Sequence, residues 1–168
     1  MICQHHPIRV VQSHDTRGKL SDHLADERAI EQLLYRYARG VDRNDLDVVR
    51  SCYWDEGFND HMGFTGTADE FCAWLAIVLT RVDAITHQFT NVSVQVASDA
   101  TTASCDAYCL NACVWKLGNG TERHLLSCLA YIDTLHQRGG EWRLLHRRCR
   151  RLWSRMEEFP SWDDSAPT

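Results

Sequence analysis

The second half of the chain most constrains the fold, because it consists of long segments with strand periodicity. The predicted strands are His87–Val96, Thr101–Leu117, Arg123–Leu135 and Glu141–Trp153. Gly118-Asn-Gly120 and Arg138-Gly-Gly140 separate the last three, and glycine turns of this kind join antiparallel strands. These segments therefore predict one antiparallel sheet.

Alternation within the first of these strands predicts which side chains share a face. His87, Phe89 and Asn91 fall on one face, and Val92 and Val94 fall on the other. We therefore expect Asn91 to lie on the same side of the strand as His87.

The first half of the chain has helical periodicity. Apolar residues within Ala29–Val41 follow the i, i+3, i+4, i+7 spacing of an amphipathic helix that begins at Ser21 or Asp22 and ends near Gly40. Thr67-Ala-Asp-Glu70 has the spacing of a capping box and predicts another helix. Between them we expect a short helix and a short strand, Leu46–Tyr53 and Phe58–Met62. Helices followed by an antiparallel run indicate an α+β fold, in which a strongly curved sheet encloses a conical cavity over the N-terminal helix.

Length and composition exclude several classes of protein. The chain has 168 residues, 44% of them hydrophobic, and a formal net charge of −5. These values fit one globular domain and disfavour broad nucleic-acid binding. No apolar run approaches the roughly 18 residues that span a bilayer, and the first residues lack the features of a secretory signal. We therefore expect a cytoplasmic protein that binds neither nucleic acid nor a membrane.

The folded domain is expected to span residues 21–156. Residues 1–20 lack sustained periodicity and predict a flexible arm, and residues 157–168 predict a polar C-terminal tail. The eight cysteines form no Cys-x-x-Cys pair, and Cys105, Cys109 and Cys113 recur every four residues. We interpret the cysteines as reduced thiols that pack as small apolar residues, and we expect no metal site.

Three segments of the chain resemble the SnoaL-like group of the nuclear transport factor 2-like superfamily, whose fold is cone-shaped. They are Ala29–Asp45, Thr86–Val92 and Glu141–Arg147, and the likeness covers roughly residues 22–156. Tyr37, Asp42 and His87 together are similar to residues of the eliminating enzymes in this group, such as scytalone dehydratase, the bile-acid dehydratases and the hexachlorocyclohexane dehydrochlorinase. The resemblance implies that Asp42 orients His87, that His87 removes a proton, and that Tyr37 is the acid or oxyanion donor.

The chemistry of these three side chains suits elimination next to a carbonyl group. A histidine takes and returns a proton near neutral pH, and a carboxylate on its other ring nitrogen fixes the tautomer and stabilises the imidazolium. A buried phenol donates to a carbonyl or to a leaving hydroxyl, so no metal or organic cofactor is required. The alternatives are core packing for Tyr37, a satisfied core or surface histidine at His87, and an exposed loop or cap position for Asp42.

Six further residues are expected to bind the substrate. Arg147 matches a pocket arginine of some relatives and would bind a carboxylate or polarise a leaving group. Alternation along Arg147–Arg151 allows at most half of that run to face a cavity. The others lie near the expected cavity mouth or on the face of His87: Tyr53, Trp54, Phe58, His61 and Asn91. Aromatic residues there suit a flat ring substrate, and core packing is the alternative.

Together these observations predict a cofactor-independent lyase of the dehydratase type that acts on a small hydrophobic ring substrate such as a steroid or polyketide. An isomerase like ketosteroid isomerase, or a cyclase, would use nearly the same residues. From another class, the alternatives are a non-catalytic subunit like the β-subunits of ring-hydroxylating dioxygenases, or a ligand-binding module. The convex face of the curved sheet predicts a homodimer or homotrimer.

Overall fold

In the part of the chain that the structure describes, two helices, a two-stranded hairpin, a third helix and four long strands follow one another. The computed structural model describes the backbone of residues 14–161 and the side chains of residues 21–161. The helices are α1 (His14–Asp42), α2 (Leu46–Ser51) and α3 (Ala68–Leu79). The strands are β1 (Tyr53–His61), β2 (Phe64–Thr67), β3 (Ala84–Val96), β4 (Thr102–Lys116), β5 (Thr121–Arg138) and β6 (Glu141–Pro160). None of these helices is both long and apolar enough to cross a membrane.

All six strands belong to one curved sheet with the order β2-β1-β6-β5-β4-β3. Neighbouring strands are antiparallel except β1 and β6, which run parallel, so the sheet is mixed. The sheet curves around α1, which packs against β3 and β6, but it does not close. This arrangement confirms the predicted α+β fold, in which a curved sheet wraps around a long N-terminal helix.

One face of α1 forms the centre of the core. Its buried apolar residues follow the helical spacing that the sequence predicted, and they are Ile30, Leu33, Leu34, Tyr37, Ala38 and Val41. The concave faces of β5 and β6 pack against them with the buried residues Leu129, Tyr131, Leu135 and Leu144. The helix thereby packs on the concave side of the sheet.

The first helix ends at Asp42, beyond the end that Gly40 predicted. Gly40 stays helical, and a Cβ atom there would lie 2.9 Å from Val49 Cγ2 and 3.1 Å from Val48 Cγ1. The glycine therefore permits the close approach of α2 to α1, and does not stop the helix. The chain turns away at Asn44, whose φ of 54° is left-handed. As a result, Asp42 is held at the end of a regular helix.

A bulge in β3 makes the predicted alternation of that strand wrong. Asn91 has a φ of 50°, and the register with β4 shifts between Thr90 and Ser93. The extra residue turns Val92 towards the core, on the side that already holds His87. Asn91 is exposed and does not share a face with His87.

The ends of the domain also differ from the prediction. The first helix begins at His14, before the predicted start at Ser21 or Asp22, while residues 1–13 lie outside the described residues. The last strand continues to Pro160, which pairs with Thr121. Residues 157–160 are therefore strand and not tail, because backbone pairing with β5 continues after the apolar pattern has ended; residues 162–168 lie outside the described residues.

The cysteines among the described residues are free thiols. Cys105, Cys109 and Cys113 lie on the buried face of β4, where the four-residue repeat placed them. Burial raises the pKa of Cys105 and Cys109 to about 12. Thiols in this state are protonated and pack as small apolar side chains.

Gly40→Ala is expected to destabilise the protein, although alanine is the better helix former. Alanine gains about 1 kcal/mol of helix propensity over glycine, whereas overpacking a filled contact costs about 1–3 kcal/mol. Because Val49 is fully buried and branched, we expect the free energy of unfolding to fall by up to about 2 kcal/mol in urea unfolding experiments.

The control is Val49→Ala, which removes the methyl group that the new Cβ would meet. The cost of Gly40→Ala should shrink in that background. A Gly40→Ala variant more stable than the wild type would contradict the packing argument.

Candidate functional site

Asp42, at the end of α1, is hydrogen-bonded to His87 on β3. Its Oδ1 lies 2.7 Å from His87 Nδ1, and its Oδ2 accepts from the backbone N–H of His87 at 3.1 Å. The side chain of His87 is 6% exposed and that of Asp42 is 22% exposed. Two hydrogen bonds from one carboxylate fix the orientation of the imidazole and favour the tautomer with its proton on Nδ1.

The other ring nitrogen of His87 faces Asn111, its partner in the register of β3 and β4. Asn111 Nδ2 lies 3.2 Å from His87 Nε2 and donates to the carbonyl of Thr86 at 3.2 Å. Asn111 Oδ1 accepts from the Cys113 thiol at 3.4 Å. The carbonyl acceptor and the thiol donor together fix the orientation of the Asn111 amide, with its nitrogen towards the His87 ring. His87 Nε2 therefore accepts a hydrogen bond and carries no proton in this arrangement.

A cavity of about 200 Å³ opens beside His87. Its walls come from α1, α3 and the concave face of the sheet, and they are mainly apolar. Aromatic and aliphatic residues of the lining include Phe71, Trp74, Trp115 and Leu125. A wall of this composition binds the apolar body of a ligand and leaves orientation to a few polar groups.

The polar groups at the cavity wall, among them Ser127 on β5, come from six different elements. Besides His87 and Asn111 they include Tyr37, His61 and Arg151. Within the described residues, no group of three or more His, Cys, Asp or Glu side chains is arranged to hold a metal ion. The structure therefore brings together a base candidate, a phenol, a second imidazole and one guanidinium around an apolar space.

Tyr37 lines the cavity together with His87. It is fully buried on the core face of α1, and its ring lies 4.2 Å from the guanidinium carbon of Arg147. Burial raises the pKa of Tyr37 above its ordinary value. The phenol is thus protonated at neutral pH and has a proton to donate, while its ring also contributes to the core.

Arg147, predicted to bind the substrate, is fully buried and paired with Asp133 on β5. Nε and Nη2 of Arg147 donate to the two carboxylate oxygens of Asp133 at 2.8 Å and 2.6 Å. The guanidinium also lies over the rings of Tyr37 and Tyr131, at 4.2 Å and 4.7 Å. Arg147 is not among the residues of the cavity lining. Arg147 therefore binds the carboxylate of Asp133, and not the substrate carboxylate that the sequence analysis expected.

Four other residues predicted to bind the substrate also lie outside the cavity lining. Tyr53 is buried in the core, where its hydroxyl accepts from Asn59 Nδ2 at 2.7 Å. Trp54 donates from Nε1 to a backbone carbonyl of β5 at 2.9 Å. Phe58 is exposed on β1, and Asn91 is exposed at the bulge of β3.

His61, also predicted to bind the substrate, does line the cavity. Its ring centre lies 5.4 Å from that of Phe71 and 6.1 Å from that of Tyr131. Its Nδ1 is buried and has no hydrogen-bond partner among the described residues. Burial, reinforced by the positive charge of Arg147, lowers the pKa of His61 to about 3. His61 is therefore neutral at physiological pH.

Asn111 and Arg151 are cavity residues that the sequence did not identify. Asn111 reaches His87 only through the register of β3 with β4, and the periodicity of the two strands does not determine that register. A signal for Arg151 was present in the run Arg147–Arg151, because a strand side chain four residues from Arg147 lies on the same face.

Sequence comparison connects this site to a known family. Residues 22–148 match the model of the SnoaL-like domain, a stretch that contains Tyr37, Asp42 and His87. The chain belongs to the SnoaL-like domain family. The match confirms the resemblance drawn from the sequence, and no curated protein has a sequence that matches this one significantly.

Several solved structures share the fold of this SnoaL-like domain. LinA is 22% identical, with a TM-score of 0.72, covering 81% of this chain and 92% of that chain. The LinA-type3 hexachlorocyclohexane dehydrochlorinase from Novosphingobium barchaimii is 22% identical, with a TM-score of 0.71, covering 87% of this chain and 98% of that one. A protein from Novosphingobium aromaticivorans that is described as a scytalone dehydratase by similarity is 20% identical, with a TM-score of 0.70. The match covers 81% of this chain and 90% of that chain. At these identities the likeness shows the shared fold.

His61 makes the stability of the protein sensitive to acid. Its pKa in the folded protein lies below the ordinary value of about 6.5, so below that pH the unfolded chain binds a proton that the folded protein does not take up. Stability therefore falls as the pH drops from about 6.5 towards 3. In urea unfolding, the free energy of unfolding of the wild type should fall by about 1–2 kcal/mol more between pH 7 and pH 5 than that of His61→Phe.

His124→Phe is the matched control, because His124 is a strand histidine with a half-exposed side chain. It should keep the acid sensitivity of the wild type. Equal losses of stability in the wild type and in His61→Phe would show that His61 is not buried in its neutral form.

Proposed function

We propose that this protein is a cofactor-independent lyase that eliminates water, or a similar small leaving group, from a hydrophobic ring substrate. The observation that carries the proposal is the Asp42–His87 hydrogen bond of 2.7 Å, with the unprotonated ring nitrogen of His87 at the wall of an apolar cavity. Family membership supports the reaction class, since dehydrochlorinases of the LinA type share the fold.

His87 is the base in this proposal. Its Nδ1–H donates to Asp42, so the free electron pair sits on Nε2 and takes the proton from a C–H bond next to a carbonyl group. The negative charge of Asp42 stabilises the imidazolium that forms. Asn111 Nδ2 donates to the same ring nitrogen at 3.2 Å, and the C–H bond of the substrate takes the place of this donor.

Tyr37 is the hydrogen-bond donor to the developing negative charge. Because its pKa is raised by burial, the hydroxyl remains protonated and hydrogen-bonds to the enolate oxygen or to the leaving hydroxyl. The bond from carbon to the leaving oxygen then breaks, a carbon–carbon double bond forms, and the proton held by His87 passes to the leaving group. The products are one water molecule and an unsaturated carbonyl compound.

The same groups would serve an isomerase or a cyclase, because both reactions begin with removal of a proton beside a carbonyl group. A non-catalytic subunit does not require the paired Asp42 and His87, and it would be recovered with a larger partner. The homodimer or homotrimer and the cytoplasmic location stay predictions.

Asp42→Asn and His87→Ala are each expected to lower turnover at least about a hundredfold, the scale of general acid–base catalysis. The wild type and both variants are incubated with 3-keto-hydroxysteroids and β-hydroxy polyketide ketones. Mass spectrometry then detects loss of one water, which indicates a lyase, or a product of unchanged mass, which indicates an isomerase.

The control is His124→Ala, because His124 also contacts a carboxylate, that of Glu122 at 3.1 Å, but lies outside the cavity lining. It should turn over like the wild type. Turnover that survives both Asp42→Asn and His87→Ala would contradict the proposed roles of the pair.

A further inference from the structure

Arg151 is the only Arg, Lys, Asp or Glu among the described residues of the cavity lining. In the register of β5 and β6 it lies opposite Leu129, a residue that also lines the cavity. It shares the concave face with Arg147 and Cys149, and its side chain is exposed. Arg151 therefore places a permanent positive charge where the cavity meets solvent.

Arg147 and Arg148, on the same strand β6, have acidic partners, and Arg151 does not. Arg147 is held by Asp133, and Arg148 contacts Asp60 at 3.2 Å. Among the described residues, Arg151 makes no ion pair and no side-chain hydrogen bond. Its donors are therefore free for a ligand.

The surroundings of Arg151 determine which ligand would fit. The adjoining wall is apolar and includes Trp115 and Leu125, so it suits a ring system. A single planar guanidinium matches a carboxylate, which it binds through two parallel hydrogen bonds. The negative charge of Asp42, at the His87 end of the cavity, disfavours an acidic group there and thus orients such a ligand.

We propose that Arg151 is a substrate-specificity residue that selects ring compounds bearing a carboxylate. The carboxylate pairs with Arg151 at the mouth, and the ring places its reacting carbon towards His87. This inference rests on the proposed lyase function and names its substrate class. It also transfers to Arg151 the role of carboxylate binding that the sequence suggested for Arg147.

The test compares the binding of 2-naphthoate with that of its neutral analogue 2-naphthamide, by isothermal titration calorimetry. We expect the wild type to bind the acid about tenfold more tightly than the amide, as one charge-assisted hydrogen-bonded pair provides. Arg151→Gln should bring the ratio close to one, and Arg151→Glu should favour the amide. High salt should reduce the preference of the wild type.

Arg150→Gln is the matched control, because Arg150 is the adjacent exposed arginine, lies opposite Ala130 and is absent from the cavity lining. It should keep the preference of the wild type. The proposal is overturned by equal affinity of the wild type for acid and amide, by a preference that persists in Arg151→Gln, by an equal loss in Arg150→Gln, or by no binding of either compound.

Binding is measured without turnover, so the two proposals fail separately. If the lyase proposal is wrong, the ratio of affinities still depends on Arg151. If the proposal for Arg151 is wrong, neutral ring substrates still require His87 for turnover.

Discussion

The hydrogen bond between Asp42 and His87 is the interaction on which the rest of the site depends. One carboxylate at the end of α1 accepts from both the ring and the backbone of His87, and so joins the helix to the first part of β3. The ring can then present only Nε2 to Asn111 and to the cavity. A carboxylate on one nitrogen and an apolar space beside the other are the conditions under which a histidine acts as a directed base.

The buried pair of Arg147 and Asp133 supports the structure around the cavity and does not itself contact a ligand there. A charge taken out of water is tolerated only when it is paired and hydrogen-bonded, and here both side chains are fully buried and bidentate. Arg147 also packs against Tyr37, so the pair holds the phenol in place from behind. The charge available to a ligand is consequently that of Arg151 at the mouth.

The order of helices and strands could be predicted because periodicity and glycine turns are local properties. The β-bulges could not be predicted in this way, and they determine which side chains face the core and the site. The register of β5 and β6 shifts between Thr134 and Leu135, and only after that shift does Asp133 face Arg147. The bulge at Asn91 likewise lets both His87 and Val92 face the core. Asp42 and His87 are 45 residues apart in the sequence, so their contact could be predicted only from the family resemblance and not from residue spacing.

The tautomer of His87 tests the central claim most directly, and nitrogen-15 NMR of the imidazole reports it without any substrate. The account predicts that, at a pH where the ring is neutral, the proton of His87 resides on Nδ1 and Nε2 is unprotonated. Asp42→Asn should weaken this preference, because a neutral amide is a poorer acceptor than a carboxylate. A wild-type ring that carries its proton on Nε2 would contradict the account, since Nε2 would then have no electron pair with which to remove a proton.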